Sequence, residues 1–252
     1  MRILLTNDDG VRAPGLHRLA AGLAATDHDL LVVAPEHEMS GSSSSTGPLF
    51  SGSELAVRRH REPALDGIEA HAIDGPPALC VMAARLGAFG DPPDLVVSGI
   101  NPGMNTGRGA LHSGTVGAAL TGQAFGISAL AVSIDGEDDA RFDTAAAVAR
   151  AALGWLVDAP RRSVLNVNVP NVEPHELAGV RWARLAATSG VRASLAESAP
   201  GRLRLELTPT DLVLKPDTDT ARVHAGYVAV TLLNGVTAAD ESPVAEAIEL
   251  AL

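Results

Sequence analysis

Two adjacent carboxylates, Asp8 and Asp9, follow an apolar run near the start of the chain, in the segment "RILLTNDDG". Because like charges repel each other at short range, a chain folding for stability alone would rarely place such a pair where a buried strand ends. Carboxylate oxygens are hard ligands that suit Mg²⁺ or Mn²⁺. The pair therefore predicts a bound cation, although an ordinary turn and helix start is an alternative explanation of the same residues.

Further oxygen-bearing side chains follow other predicted strands. Ser40 comes after the strand at 29–34, and Asn101 and Asn105 lie in "GINPGMNTG", after the strand at 94–98. In a parallel sheet the carboxyl ends of the strands meet at one edge, where ligands bind. Taken alone, Ser40 or Asn101 could be a simple turn residue. Together with the aspartates they predict a site built from oxygen ligands, and the scarcity of His and Cys in these loops argues against structural zinc there.

A third group of small polar residues, Ser113, Gly114 and Thr115, stands where a helix should begin, in "HSGTVGAALTG". Free backbone N–H groups at a helix start can bind a phosphate. Ser and Thr are also ordinary helix caps, so the signal is weak when it is taken alone. Beside a divalent cation, it predicts a phosphate that bridges the cation and the helix start.

The elements that must position these residues indicate an α/β fold with a mostly parallel sheet between helices. Short apolar runs alternate with longer stretches of helical periodicity over residues 1–170. Most of the runs are almost continuously apolar, which is typical of strands buried on both faces. Strands are predicted over 2–6, 29–34, 69–73, 94–98, 129–133 and 164–169, with helices over 76–88 and 114–125 and around the apolar faces of Leu16, Leu19 and Leu23 and of Phe142, Ala145, Ala149 and Leu153.

Beyond residue 170 the pattern changes, so we predict one overall domain in three parts: an α/β core at 1–170, a β-rich extension at 171–235 and a C-terminal helix at 236–252. The runs "RLRLEL" (202–207) and "HAGYVAVTLL" (224–233) predict antiparallel strands. An unpaired strand edge favours association with another subunit. The extension is therefore predicted to serve oligomerisation.

Composition and charge limit the classes of protein. The net charge of −11 argues against stable nucleic-acid binding, and the basic run at 57–61 is better explained as a solvated loop or edge strand. Cys80, the single cysteine, stands in an apolar stretch and is typical of a core position in a reducing compartment. The chain shows neither a signal-peptide pattern nor a membrane-spanning run, so we expect a cytoplasmic protein that does not insert into membranes. The serine-rich stretch at 40–46 is either a flexible linker or an active-site loop.

These motifs resemble the SurE family of metal-dependent 5′/3′-nucleotidases. The resemblance extends in order over nearly the whole chain, through "RILLTNDDGVRAPGL", "VVAPEHEMSGSS", "PDLVVSGINPGMNTG", "HSGTVGAALTGQAFGISALAVS", "LNVNVP" and "HAGYVAVTLL". It implies that residues 1–170 form a Rossmann-like catalytic core with one Mg²⁺ or Mn²⁺ per subunit. It also implies nucleoside 5′- and 3′-monophosphates as substrates, and a homodimer or homotetramer with exchanged C-terminal elements. By the same resemblance, the metal ligands are Asp8, Asp9, Ser40 and Asn101, and the phosphate lies near Asn105 and the turn of Ser113, Gly114 and Thr115.

The expected chemistry is metal-assisted, in-line attack of water on phosphorus. The chain departs from the family pattern at Glu36, Leu79, His112 and Thr121, which leaves a nucleotide-binding protein with weak catalysis as the alternative. His112 could also donate a proton to the leaving oxygen, or could simply face solvent. A dinucleotide-dependent oxidoreductase is disfavoured, because no G-x-G-x-x-G follows the first strand.

Overall fold

The computed structural model describes residues 1–50, 52–136, 139–187, 191–199, 201–209, 213–238 and 248–249 of the 252-residue chain. Strands and helices alternate through the first two thirds of the sequence, as the apolar pattern predicts. In chain order the elements are β1 (Arg2–Thr6), α1 (Pro14–Leu23), β2 (Asp29–Pro35), β3 (Val57–Arg59), β4 (Glu69–Ile73), α2 (Pro77–Arg85), β5 (Leu95–Pro102), α3 (Gly114–Ala124), β6 (Ser128–Ile134), α4 (Phe142–Val157), β7 (Val164–Val169), β8 (Gly179–Trp182), β9 (Val191–Ala199), β10 (Arg202–Pro209), α5 (Asp219–His224) and β11 (Tyr227–Leu233), with 3₁₀ turns at Pro63–Leu65, Gly107–His112 and Pro174–Glu176.

The main sheet has the strand order β3-β4-β2-β1-β5-β6-β7-β11-β8. The six strands from β4 to β7 in that order are parallel to one another. Antiparallel pairing occurs between β3 and β4 and between β11 and β7. This arrangement confirms the predicted α/β class, and it brings the carboxyl ends of β1, β2 and β5 to one edge of the sheet.

Both faces of the sheet are covered by helices. Successive residues of a strand point to opposite faces, and accordingly Ile3 and Leu5 join the core beneath α1 and α4, whereas Leu4 joins the core beneath α2 and α3. Cys80 belongs to the second core and is fully buried, as its apolar surroundings predict. Burial on both faces explains why these strands are apolar throughout.

The predicted strands of the core agree with the structure except at β5, which continues to Pro102 and so carries Asn101 at its end. The exposed β3 fits the edge-strand interpretation of the basic run at 57–61. Sequence periodicity did not predict β8, β9 or α5, which has only 6 residues. The expectation of antiparallel strands at 202–207 and 224–233 agrees with the structure, since β10 pairs with β9 and β11 pairs with β7 in that way. On its other side β11 pairs with β8 in parallel.

The region after residue 170 is divided between two sheets. Strands β8 and β11 extend the main sheet, and β9 and β10 form a separate two-stranded sheet. The boundaries at 170 and 235 and the role of this region in oligomerisation stay predictions. Of the predicted C-terminal helix at 236–252, residues 236–238 are not helical, and the rest lies outside the described residues apart from 248–249. Among the residues that the structure describes, no helix has both the length and the apolar character needed to span a membrane.

Candidate active site

The turn that follows β1 holds the two aspartates at the edge of the sheet. Gly10 has a φ of 100°, a backbone conformation that favours glycine. The side-chain amide of Asn7 donates to the Gly10 carbonyl at 3.1 Å, which closes the turn around the carboxylate pair. The backbone N–H of Val11 donates to the Pro35 carbonyl at 2.8 Å. The "NDDG" turn is therefore fixed both internally and against the end of β2.

Asp8 is 3% exposed and is bound to the start of α3. Its Oδ2 accepts a hydrogen bond from the backbone N–H of Gly114 at 3.1 Å, and its Oδ1 accepts one from the Thr115 hydroxyl. A carboxylate is favoured there because the helix dipole is positive at its N-terminus. A Cβ on Gly114 would lie 2.7 Å from the Cβ of Asp8, so the close approach requires glycine. In this structure the helix start engages Asp8, and direct contact of Gly114 and Thr115 with phosphate stays a prediction.

Asp9 differs from Asp8 in the hydrogen bonding of its carboxylate oxygens. Its Oδ2 is buried and has no hydrogen-bond partner among the described residues. Burial, followed by the negative charges of Asp8 and Glu38, raises the pKa of Asp9 to about 7. Burial also raises the pKa of Asp8, against the hydrogen bonds from Thr115 and Gly114 that lower it. Two ionised carboxylates in this pocket therefore require a nearby positive charge.

The loop after β2 brings Ser40 to this pair. The backbone N–H of Met39 donates to the Asp8 carbonyl at 2.7 Å, which fixes the loop against the turn. Ser40 is exposed, and its backbone N–H donates to the Glu38 carboxylate at 3.0 Å. Hydrogen bonds from Ser40 hold the pKa of Glu38 below its usual range. The hydroxyl of Ser40 also contacts the Glu38 carboxylate, and its contribution of a neutral oxygen ligand beside Asp8 and Asp9 stays a prediction.

The serine-rich stretch at 40–46 packs against α3. The Ser43 hydroxyl donates to the Leu111 carbonyl at 2.7 Å, and the Ser44 hydroxyl donates to the Gly117 carbonyl at 3.3 Å. A Cβ on Gly117 would lie 2.1 Å from the Ser43 carbonyl oxygen, so the two backbones meet at a position that accepts only glycine. These contacts favour the active-site loop over the flexible linker.

Asn101 is placed by an irregularity between β5 and β6. The pairing of these strands shifts between Ser98 and Asn101. The side-chain amide of Asn101 donates to the Gly103 carbonyl at 2.7 Å, so its Oδ1 is the atom that can bind a cation. A Cβ on Gly15 would lie 2.0 Å from the Ile100 carbonyl oxygen, which shows how closely the start of α1 packs against this part of β5.

Asn105 is held by two buried asparagines of β7 that the sequence analysis did not select. Its backbone N–H donates to Asn168 Oδ1 at 2.8 Å, and its carbonyl accepts from the amides of Asn166 at 2.8 Å and Asn168 at 3.2 Å. Its own Nδ2 donates to the Ser133 hydroxyl at 2.8 Å. The available signal was the pair of amides in "VLNVNV", at polar positions of a strand buried on both faces.

Asp219 at the start of α5 is a second residue that sequence reasoning missed. It is fully buried, and its Oδ2 accepts from the backbone N–H of Gly107 at 2.8 Å. Its Oδ1 accepts from the backbone N–H groups of Ala186 and Thr220, each at 2.9 Å. Asp219 therefore ties the segment after Asn105 to the elements beyond residue 170, and nothing in the local sequence pattern indicates so distant a contact.

The positions that depart from the family pattern have ordinary surroundings. Leu79 lies on α2, is 3% exposed and packs into the core between the sheet and the helices α2 and α3. The hydroxyl of Thr121 donates to the Gly117 carbonyl of the same helix at 2.7 Å. His112 is exposed at the end of the 3₁₀ turn that precedes Ser113, and the hydroxyl of Ser113 caps α3 by accepting from the Val116 N–H at 3.1 Å.

A comparison with known families matches residues 3–191 to the family described as "Survival protein SurE". The chain belongs to the SurE family. It is 41% identical over 238 residues to a protein of Edwardsiella ictaluri named 5′/3′-nucleotidase SurE, covering 92% of this chain and 89% of the relative. It is 42% identical over 185 residues to a protein of Rhodopirellula baltica named 5′-nucleotidase SurE, covering 72% and 70% of the two chains.

The fold of the SurE family is also recognised in three dimensions. The crystal structure of the SurE protein from Aquifex aeolicus superposes with a TM-score of 0.82 at 29% sequence identity. The superposition covers 99% of this chain and 100% of that chain. Both the fold and the family expected from the sequence motifs are therefore confirmed, whereas the individual site residues stay predictions that the geometry described above supports.

Proposed function

We propose that this chain is a divalent-metal-dependent nucleotidase that hydrolyses nucleoside 5′- and 3′-monophosphates to nucleoside and phosphate. One observation carries the proposal: a buried oxygen of Asp9 has no hydrogen-bond partner among the described residues and lies beside a second buried carboxylate. Such an arrangement is suited to a cation and is costly without one. The names of the SurE relatives supply the substrate class.

The residues that would hold the cation are Asp8, Asp9, Ser40 and Asn101, with one ion per subunit. All four offer oxygen, the ligand that Mg²⁺ and Mn²⁺ prefer, so the donor set fits either ion. When bound, such a cation polarises a phosphoryl oxygen and lowers the pKa of a coordinated water. The raised pKa of Asp9 fits this role, because a positive charge at the site would favour the ionised carboxylate.

The remaining residues hold the reacting groups in position. Gly114 and Thr115 fix both oxygens of Asp8, so this carboxylate cannot rotate away from the site. The positive end of the α3 dipole, capped by Ser113, stabilises negative charge that develops on the phosphoryl oxygens. Asn105 is held rigidly by Asn168 and, as part of the proposal, presents its side chain to the phosphate. Rigid placement of this kind lowers the entropic cost of reaching the transition state.

The proposal includes a cytoplasmic homodimer or homotetramer. The fully buried Cys80 is compatible with a reducing compartment. Large apolar side chains of α4 and β8 are exposed, with Trp155 at 50% and Trp182 at 60%. Exposed apolar groups clustered on neighbouring elements are typical of surfaces that pack against another subunit.

The test is phosphate release from a panel of nucleoside 5′- and 3′-monophosphates in Mn²⁺, Mg²⁺ or EDTA. We expect activity that requires the cation and falls by about 100- to 1000-fold or more in Asp8→Asn and in Asp9→Asn, because each change removes a charged group at the reacting centre. Asp27→Asn is the matched control, since Asp27 is an exposed carboxylate in the turn after α1. Its activity should equal that of the unmodified chain.

Two results would contradict the proposal. Equal activity in EDTA and in Mn²⁺ would exclude the metal-dependent reaction. Binding of Mn²⁺ without phosphate release from any ester would favour the weak, nucleotide-binding alternative. In that case reversion of Leu79, His112 and Thr121 to the residues common in the family would be the next experiment.

A further inference from the structure

Two histidines and a glutamate converge at a second place in the fold, away from the oxygen-bearing residues of the candidate active site. His17 lies on α1, and His60 and Glu62 lie in the segment between β3 and the 3₁₀ turn at Pro63–Leu65. Their potential ligand atoms all lie within 4.8 Å of one another. The sequence motifs do not explain this cluster, and the proposed nucleotidase reaction does not use it.

The geometry is centred on one carboxylate oxygen. Glu62 Oε2 is 3.0 Å from His60 Nε2 and 3.7 Å from His17 Nε2. Two ligand atoms of a tetrahedral zinc site, each about 2.1 Å from the metal, are about 3.4 Å apart, so the observed separations bracket the required one. Small side-chain adjustments would therefore place all three atoms around one ion.

The backbone around the cluster is already organised. The N–H of His60 donates to the Ala70 carbonyl at 2.8 Å, and the Glu62 carbonyl accepts from the Leu65 N–H at 2.9 Å. The side chains of His17 and His60 are only 12% and 11% exposed. Preorganised ligands bind a metal more tightly because less freedom is lost on binding. The two imidazoles are thus held in place before an ion arrives.

An ion could reach the cluster from solvent. His60 and Glu62 line an open groove with a volume of about 760 Å³. The Glu62 side chain is 34% exposed, so one side of the cluster faces this groove. Three protein ligands with an open side leave a position for water. The groove supplies the entry path that a metal site requires.

We propose that His17, His60 and Glu62 form a second metal site, selective for Zn²⁺ and related transition-metal ions. Two imidazole nitrogens and one carboxylate suit these ions, whereas Mg²⁺ prefers a site of oxygens alone. His17 Nε2 lies 3.0 Å from the Val11 carbonyl, and an ion bound at Nε2 would replace this hydrogen bond and leave the proton of the neutral imidazole on Nδ1. A bound ion would clamp α1, which begins just after the NDDG turn, to the segment at 60–62. The site is independent of the nucleotidase proposal.

The chain provides a matched control in His71. Its Nε2 lies 2.8 Å from Glu69 Oε1, and its side chain is 15% exposed, so it forms a His–Glu pair of similar burial. This second pair contributes only one imidazole, and the described residues around it do not complete a group of three. His71→Gln should therefore leave metal binding unchanged, whereas His17→Gln and His60→Gln should impair it.

The experiment is a Co²⁺ titration in excess Mg²⁺, which occupies oxygen-only sites, followed by visible absorption. Four-coordinate Co²⁺ with nitrogen ligands absorbs far more strongly than octahedral Co²⁺ with oxygen ligands. We expect one equivalent to produce strong bands in the unmodified chain and in His71→Gln. In His17→Gln and His60→Gln the bands should disappear and the affinity should fall at least about tenfold.

Thermal unfolding with Zn²⁺ gives a second readout. Zn²⁺ should raise the unfolding temperature of the unmodified chain and of His71→Gln but not that of His60→Gln. Far-UV circular dichroism verifies that each variant is folded, and Glu62→Gln replaces any histidine variant that does not fold. Absence of strong bands from the unmodified chain, or bands that persist in both histidine variants, would overturn the proposal and leave only a hydrogen bond between His60 and Glu62 with His17 beside it.

Discussion

Asp9 and Asn105 lie at the same edge of the sheet, but they differ in how far hydrogen bonds within the chain satisfy their polar atoms. The carboxylate half of the candidate site, Asp8 and Asp9, contains a buried acid, a partly buried acid and a buried oxygen without a partner among the described residues. The amide half, Asn105, Asn166 and Asn168, is joined by neutral hydrogen bonds of 2.8–3.2 Å. The first half depends on a positive charge that the described residues do not provide there, whereas the second is joined by hydrogen bonds within the chain.

This difference indicates that the carboxylate half would bind the proposed cation, whereas the amide half positions a side chain. A carboxylate pair without a counter-charge destabilises the fold but attracts a cation strongly. A neutral network stabilises the fold and holds one side chain still. Substitutions in the two halves should therefore change the free energy of unfolding in opposite directions, although both should lower activity.

The largest effect is expected from Asp9→Asn in EDTA. The pKa of Asp9 is raised from 3.8 to about 7, so the stability of the metal-free protein should be highest at low pH and should be lost as the pH rises through about 7. One pKa unit corresponds to about 1.4 kcal/mol, which sets an upper limit of about 4 kcal/mol for the loss. Urea unfolding from pH 5 to 8 should show this slope in the unmodified chain and a smaller slope in Asp9→Asn, where the raised pKa of Asp8 still contributes. Asp9→Asn should be the more stable protein at pH 8.

Saturating Mn²⁺ should remove most of the same slope from the unmodified chain, because bound cation compensates the ionised pair. Asp27→Asn again serves as the control and should retain the slope. Equal stability of Asp9→Asn and the unmodified chain at pH 8 in EDTA would refute the comparison.

A smaller effect of opposite sign is expected from Asn168→Ala. The change leaves the buried N–H of Asn105 without its acceptor, so the free energy of unfolding should fall by about 1–3 kcal/mol at every pH. Phosphate release should fall about 100-fold through misplacement of Asn105, with little change in the Mn²⁺ concentration that gives half-maximal activity. Asn234→Ala, a change at an exposed asparagine, is the control. A large shift in the Mn²⁺ requirement would instead place Asn168 in the carboxylate half.

The smallest effect is expected from Ser40→Ala. Ser40 is exposed, so the free energy of unfolding should change by less than about 0.5 kcal/mol. Loss of one neutral ligand worth about 1 kcal/mol should raise the Mn²⁺ requirement about fivefold. The measurement is activity against Mn²⁺ concentration, and an unchanged curve would remove Ser40 from the ligand set.

Asp8, Asp9 and Asn101 could be found from the sequence because each lies at, or just after, the end of an apolar strand. Parallel strands end at one edge, so residues distant in sequence, such as Asp8 and Asn101, could be placed together without coordinates. In the amide half, Asn105 could be found in this way but the two asparagines of β7 could not. Asn166 and Asn168 stand inside a strand whose pattern indicates only burial, and their function depends on Asn105, which is about 60 residues away in sequence.

The parts of the fold that escaped prediction depend on tertiary contacts. The helix α5 has 6 residues, too few to be stable alone, and begins at Asp219, whose carboxylate binds three backbone N–H groups. The cluster of His17, His60 and Glu62 joins a helix to a loop that is distant in sequence, because His60 lies 43 residues after His17. Local periodicity contains no information about such contacts between segments that are distant in sequence.

Burial of the only cysteine has a practical consequence for spectroscopy. Cys80 is fully buried, and burial raises the pKa of its thiol, so it should react slowly with thiol reagents. Asp91 is exposed at the opposite edge of the sheet, where its carbonyl, rather than its carboxylate, accepts from the Arg2 guanidinium at 2.7 Å. A cysteine introduced there would be the accessible thiol of the chain, and a dye or a surface linker attached to it would leave the edge that carries Asp8 and Asn105 open to solution.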